Sequence, residues 1–248
     1  QCEADVDNNT GVSIQLVSGR CVITFVGTIA ASRTNSWTAP AGVTSFDVLV
    51  VAGGGGGGPD GGSGGGSGSM YEARVGLNGN TGRQFSISVG GGGARGIHTS
   101  INGESGAASA GGDSTFGQSN LGFSIVTKGG QPGDWPTGFD RIGGSGGVAP
   151  TAVAGSTVTL SNVFSSAGQR GGFSRNFNVI GSGYGGVNGV TSSLFSGVQV
   201  IGSGGGGAII GSGDTPGGAG GIGGGGRGGG GANNVAWTLS GHGVSGSG

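Results

Sequence analysis

Apolar and polar positions alternate in short runs along this chain, and the runs are separated by glycine. In the stretch around SFDVLVV, Phe46, Val48 and Val50 alternate with Asp47, Leu49 and Val51, which predicts a buried strand. That strand feeds directly into six glycines, Gly53 to Gly58, followed by Pro59 and Asp60. The succession recurs in RQFSISVGGGG, Arg83 to Gly93. There Phe85, Ile87 and Val89 share one face and Gln84, Ser86 and Ser88 the other, as in an antiparallel sheet with one face in the core. Further strands are expected at Val12–Ser18, Cys21–Ile29, Ser36–Pro40, Met70–Gly76, Gly112–Gly117 and Gly122–Gly130. Later ones are expected at Ser156–Ser165, around Phe177 and Leu194, and at Asn234–Gly241. No window holds an apolar period of 3.6 residues, so helix content should be close to nil. Many short strands between turn residues imply an all-β fold, a sandwich or jelly roll.

Glycine supplies 71 of the 248 residues. Such a share normally marks a flexible chain, because glycine loses the most backbone entropy on ordering. Strand-like segments rich in Val, Ile, Phe and Thr recur between the tracts, and this argues for order instead. From Gly217 to Gly231 glycine falls at every third position, and Gly183, Gly186 and Gly189 repeat the step. Three residues per turn is the period of the polyproline II helix, which has no internal hydrogen bonds. Glycine lets such helices approach until N–H and C=O groups bond between neighbours, as buried backbone requires. The expected architecture is a β-sandwich carrying a bundle of polyglycine II helices.

Charge then narrows the function classes. Charged residues make up 8% of the chain, the formal net charge is −1, and Lys128 is its single lysine. The arginines are scattered, so no basic patch for nucleic acid is present. No apolar run is long enough for a helical membrane span. Low charge suits a molecule that lives inside an assembly.

Cys2 and Cys21 form an even pair near one terminus, which predicts a disulfide and an oxidising compartment, with an intermolecular bridge through Cys2 as the alternative. The chain begins at Gln1 without methionine, as a secreted protein does after removal of a signal peptide. Asn8-Asn9-Thr10 matches the glycosylation acceptor pattern. Asp5 and Asp7 lack the spacing of a calcium loop and read as part of a solvated terminal segment.

No catalytic pattern in the sequence carries weight. GxSxG occurs at Gly61–Gly65 and Gly143–Gly147, but chance supplies such matches in a Gly- and Ser-rich chain, and neither sits at a strand-to-helix elbow. His98 and His242 have no cysteine or carboxylate at metal spacing, and no acid–base pair of carboxylates is visible. No enzyme activity, cofactor or metal is expected. Trp37 and Trp237 fall in strands and are expected in the core. Trp135, flanked by Asp134 and Asp140 in the turn-rich stretch Gln131–Gly144, is the candidate ligand loop.

The succession WTAPAGVTSFDVLVVAGGGGGG, FSISVGGGGARG and GGDSTFG resembles the glycine-rich domain of secreted bacterial proteins and phage tail proteins. It is also similar to the glycine-rich extracellular domain of the anaplastic lymphoma kinase receptor family. The resemblance covers roughly residues 21–231 and implies a jelly-roll sandwich of the tumour-necrosis-factor type, with polyglycine II helices inserted between strands. The chain departs from the pattern at its ends, in ANNVAWTLSGHGVSGSG and in the cysteine-bearing extension before Cys21. One domain is expected over 1–248, with 1–20 an extension used in subunit contacts, 21–241 the sandwich and its glycine helices, and 242–248 a tail. The function expected is that of an extracellular structural subunit of a self-assembling fibre, sheath or filament, whose partners are copies of itself. The alternative is an adhesin or receptor-binding tip that takes surface glycans.

Overall fold

The computed structural model describes residues 5–7, 11–28, 31–58, 63–79, 82–98, 105–134, 143–172, 190–192 and 199–201. The strands are β1 (Asp5–Asp7), β2 (Val12–Val17), β3 (Arg20–Phe25), β4 (Arg33–Thr38), β5 (Ser45–Val51), β6 (Met70–Gly76), β7 (Gln84–Val89) and β8 (Ile97–His98). They continue as β9 (Ser105–Gly106), β10 (Ser114–Gln118), β11 (Phe123–Thr127), β12 (Thr151–Val153), β13 (Thr159–Ser166), β14 (Val190–Thr191) and β15 (Gln199–Ile201). A single 3-10 turn, Ser119–Leu121, interrupts the strands, and no α-helix occurs among the described residues. The expected strand at 36–40 begins earlier, at Arg33, because Arg33 to Thr38 pair in register with Val89 to Gln84 of β7.

Two antiparallel sheets share one core. The larger runs β1-β4-β7-β10-β11-β12 and the smaller β13-β6-β5, and neither closes on itself. Period-two alternation places Trp37, Phe85, Ile87, Phe116, Phe123 and Ile125 of the first sheet against Val50, Tyr71, Ala73 and Val75 of the second. Phe46 of β5 meets Trp37, Phe85 and Phe116 edge-to-face, with ring centroids 4.8, 5.4 and 5.9 Å away. Phe85 is 0% exposed and Phe123 1%, and burying such a ring stabilises by about 1.5–3 kcal/mol. Leu49 and Val51, on the opposite face of β5, pack on Met70 instead. Both sides of that strand are therefore apolar in use, as its sequence implies.

Within the 1–20 extension, β2 pairs along its length with β3, Val12 opposite Phe25 and Leu16 opposite Cys21. Ile23 and Phe25 reach the core, whereas Leu16 and Val17 near the hairpin turn stay exposed.

Each sheet runs on into glycine. Segment 52–58 leaves β5, 63–69 enters β6, and 167–172 leaves β13. From the larger sheet, 90–96 leaves β7, 107–113 enters β10, 128–134 leaves β11, and 143–148 lies ahead of β12. Packed sheets ordinarily stand about 10 Å apart because side chains fill the space between them. Here the side chains stop where the strands become glycine, and the two layers close until their backbones bond directly.

Candidate functional site

The feature that sets this molecule apart is the region where the sheets converge. Segment 52–58 lies at its centre, and its partners change with a period of three residues. Ala52, Gly55 and Gly58 donate to Ser69, Gly66 and Ser63 at 3.1, 2.8 and 2.9 Å. Gly53 and Gly56 donate to Gly112 and Ser109, both at 3.0 Å, and accept from Gly130 and Gly133 at 3.0 and 2.9 Å. Gly54 and Gly57 accept from Gly93 and Gly96 at 2.7 and 2.9 Å. Segment 63–69 repeats the rule. Ser63, Gly66 and Ser69 donate to Asp134, Gln131 and Lys128, while Gly64 and Ser67 donate to Gly172 and Gln169 and accept from Gly144 and Gly147.

These pairings draw a two-row triangular net. One row runs 90–96, 52–58, 63–69, 167–172, and the other runs 107–113, 128–134, 143–148. Bonds also join neighbours within the second row, Gly111 to Gly130 at 2.9 Å and Gln131 to Ser145 at 2.8 Å. A β-ladder bonds each strand to two neighbours in a plane. Segment 52–58 bonds to four, which requires its amides to radiate around the axis.

Space explains the glycine. None of the net glycines has a positive φ, so conformation does not demand them. A Cβ on Gly53 would lie 2.1 Å from the Gly91 carbonyl oxygen, and one on Gly56 would lie 1.9 Å from that of Ala94. In the second row two directions out of three are closed in this way: a Cβ on Gly130 would meet Gly66, and one on Gly129 would meet Gly111. The third direction faces outward. There the chain places its side chains, Ala110 and Asp113 on one segment, Gln131 and Asp134 on the next, and Ser145 and Val148 on the third, all exposed.

Serine serves where an N–H lacks a carbonyl within the net. Ser63, Ser67 and Ser69 are all fully buried. Their Oγ atoms accept from the amides of Asp134, Gln169 and Lys128, each at 2.8 Å. Ser114 accepts likewise from Gly90 at 2.9 Å. At the neck between sheet and net, Lys128 Nζ donates to Asp113 Oδ2 at 2.6 Å and the Gly129 amide donates to Oδ1 at 3.0 Å. Partial burial works to raise the Asp113 carboxyl, but these two hydrogen bonds and the lysine charge prevail and hold it below the ordinary value. On the far face of β6, the fully buried Glu72 accepts a hydrogen bond from the Ser192 hydroxyl.

The residues singled out by sequence fall unevenly. Asp134 lies in the net segment 128–134, with its amide on Ser63 Oγ and its carbonyl accepting from Ser63 N–H. Thus 131–134 continues the net, where the sequence suggested a turn-rich loop. Trp135 and Asp140 lie outside the described residues, as do Cys2, Asn8 and His242. Cys21 lies in β3, and His98 ends β8. Of the two GxSxG serines, Ser63 is buried as an acceptor and Ser145 accepts the Gln131 amide through its carbonyl. No cluster of three or more His, Cys, Asp or Glu suited to a metal occurs among the described residues. Trp37 is 8% exposed, inside the core as expected. The buried serines were not anticipated.

Among the described residues the chain is an antiparallel β domain whose sheets run on into a hydrogen-bonded glycine net. A family model for a glycine-rich domain matches residues 29–248. The chain belongs to that family. Comparison with curated proteins gives no match.

Proposed function

We propose that this chain is an extracellular structural protein, a subunit of a self-assembling fibre, sheath or surface filament. In this reading the sandwich is a jelly roll of the tumour-necrosis-factor type, and the glycine segments are polyglycine II helices. The observation that carries it is the three-residue period of the hydrogen bonds around 52–58 and 63–69, since three residues per turn is the polyproline II period. A region in which buried backbone groups satisfy one another, with almost no side chain between layers, resists deformation in every direction across its axis. Such stiffness is of use to a load-bearing part.

The low charge and the exposed apolar residues Leu16 and Val148, 65% and 68% accessible, support life among copies of itself. Secretion belongs to the same reading, and with it a Cys2–Cys21 bridge. Non-reducing peptide mass spectrometry of the secreted protein should find the two cysteines linked. Electron microscopy of undenatured protein from low to high concentration tests the main claim. Ordered filaments or sheets are expected, and particles that stay monomeric throughout would refute it.

A further inference from the structure

The outer face of the second net row carries the exposed side chains of Ala110, Asp113, Gln131, Asp134 and Ser145, with Lys128 partly exposed beside them. Across the row, Asp113 stands beside Lys128, joined by the 2.6 Å ion pair. Ala110 stands beside Gln131, because Gly111 bonds to Gly130, and Gln131 stands beside Ser145, which its amide contacts. Along segment 128–134 the charges are ordered: Lys128 at one end, Gln131 in the middle, Asp134 at the other. Laid antiparallel on a copy of itself that order is complementary, Lys128 keeping its pair with Asp113 of its own face.

We propose that this face is an interface with a second copy of the same chain, related by a two-fold axis that crosses the row through Gln131. The inference rests on the self-assembly reading above and names the surface that it uses. A two-fold axis lying in the contact plane has two natural orientations on this net. Run along the segments, it lays Lys128 over Lys128 and Asp134 over Asp134, which like-charge repulsion disfavours. Run across the row, it lays Lys128 over the partner's Asp134 and Asp134 over the partner's Lys128. Ala110, Gln131 and Ser145 then meet their own counterparts on the axis. The small side chains of Ala110 and Ser145 let the two nets approach closely, and paired Gln131 amides can donate and accept at once. Each surface patch contacts its own copy, as closed two-fold assemblies require.

Gln131 is exposed, and its backbone bonds do not involve its side chain, so replacing that side chain leaves the net intact. The test uses the full chain as Gln131→Glu and Gln131→Lys, studied by sedimentation velocity at low salt. Each variant alone opposes like charges on the axis and should associate about tenfold or more weakly than wild type. Mixed in equal amounts, the two should recover association, with the mixed pair dominant in native mass spectrometry. Recovery on mixing requires residue 131 of one copy to face residue 131 of the next, which mere loss of stability cannot mimic. If wild type associates but both variants match it, this face is not the interface and the self-assembly reading stands. If wild type remains monomeric at every concentration, both fall.

Discussion

Substituting Gly53 by alanine probes the net with a single methyl group. The added Cβ would lie 2.1 Å from the Gly91 carbonyl oxygen, 2.8 Å from its carbon and 3.2 Å from the Gly112 amide nitrogen. All three are backbone atoms, so no rotamer can relieve the clash, and the segments must part by roughly 1 Å, since ordinary carbon contacts lie near 3.5 Å. Parting strains the 3.0 Å bonds from Gly53 to Gly112 and from Gly130 to Gly53. Overpacking costs about 1–3 kcal/mol, and each buried backbone group left without a partner costs about 1–3 kcal/mol more. Against this, alanine restricts the unfolded chain and returns only about 0.4–1 kcal/mol. With one group left unpartnered, the net expectation is a loss of roughly 1–6 kcal/mol. Urea unfolding followed by circular dichroism measures it, with Ser145→Ala, on the outward face, as the control expected to stay within about 0.5 kcal/mol. If Gly53→Ala costs less than about 1 kcal/mol, the tract is not packed as described and the reasoning fails.

Three further outcomes follow from the same structure. Ser69→Ala removes the buried hydroxyl that accepts from the partly buried Lys128 amide at 2.8 Å and should cost about 1–3 kcal/mol, read from the same unfolding curves. Asp113 is held below its ordinary value when folded, so its contribution is complete above the unfolded carboxylate range and is lost as pH falls through the folded one. Asp113→Asn should therefore flatten the acid limb of the melting temperature against pH, and an unchanged slope would remove Asp113 from the account. Asn35 is 8% exposed, and neither its Nδ2 nor its Oδ1 has a hydrogen-bond partner among the described residues. Asn35→Leu should raise the melting temperature in calorimetry, because burying an unbonded amide costs about 1–3 kcal/mol, and a lowered one would contradict that.

Period-two patterning made the core legible. Phe46, Val48 and Val50 announced a strand face, and all three lie in or against the core. The register of β13 was not legible, because a bulge between Ser161 and Phe164, with Asn162 at φ 50°, interrupts its alternation. The three-residue period is legible in the sequence at Gly183–Gly189 and Gly217–Gly231, which lie outside the described residues. It was missed in KGGQPGD, residues 128–134, where Lys, Gln and Asp occupy the outward third and Pro132 conceals the repeat. Polar residues flanked by glycine resemble a loop unless the direction of each side chain is known, and that direction depends on neighbours distant in sequence. Gly53 bonds to Gly112 and Gly130, and no local pattern names those partners.

Amide hydrogen exchange on glycine-labelled protein tests the net most directly. The amides of Gly55, Gly56, Gly66, Gly130 and Gly133, each bonded to another segment, should exchange as slowly as those in the core strands β6 and β7. Exchange at the rate of an unstructured chain, with β6 and β7 still protected, would contradict the account.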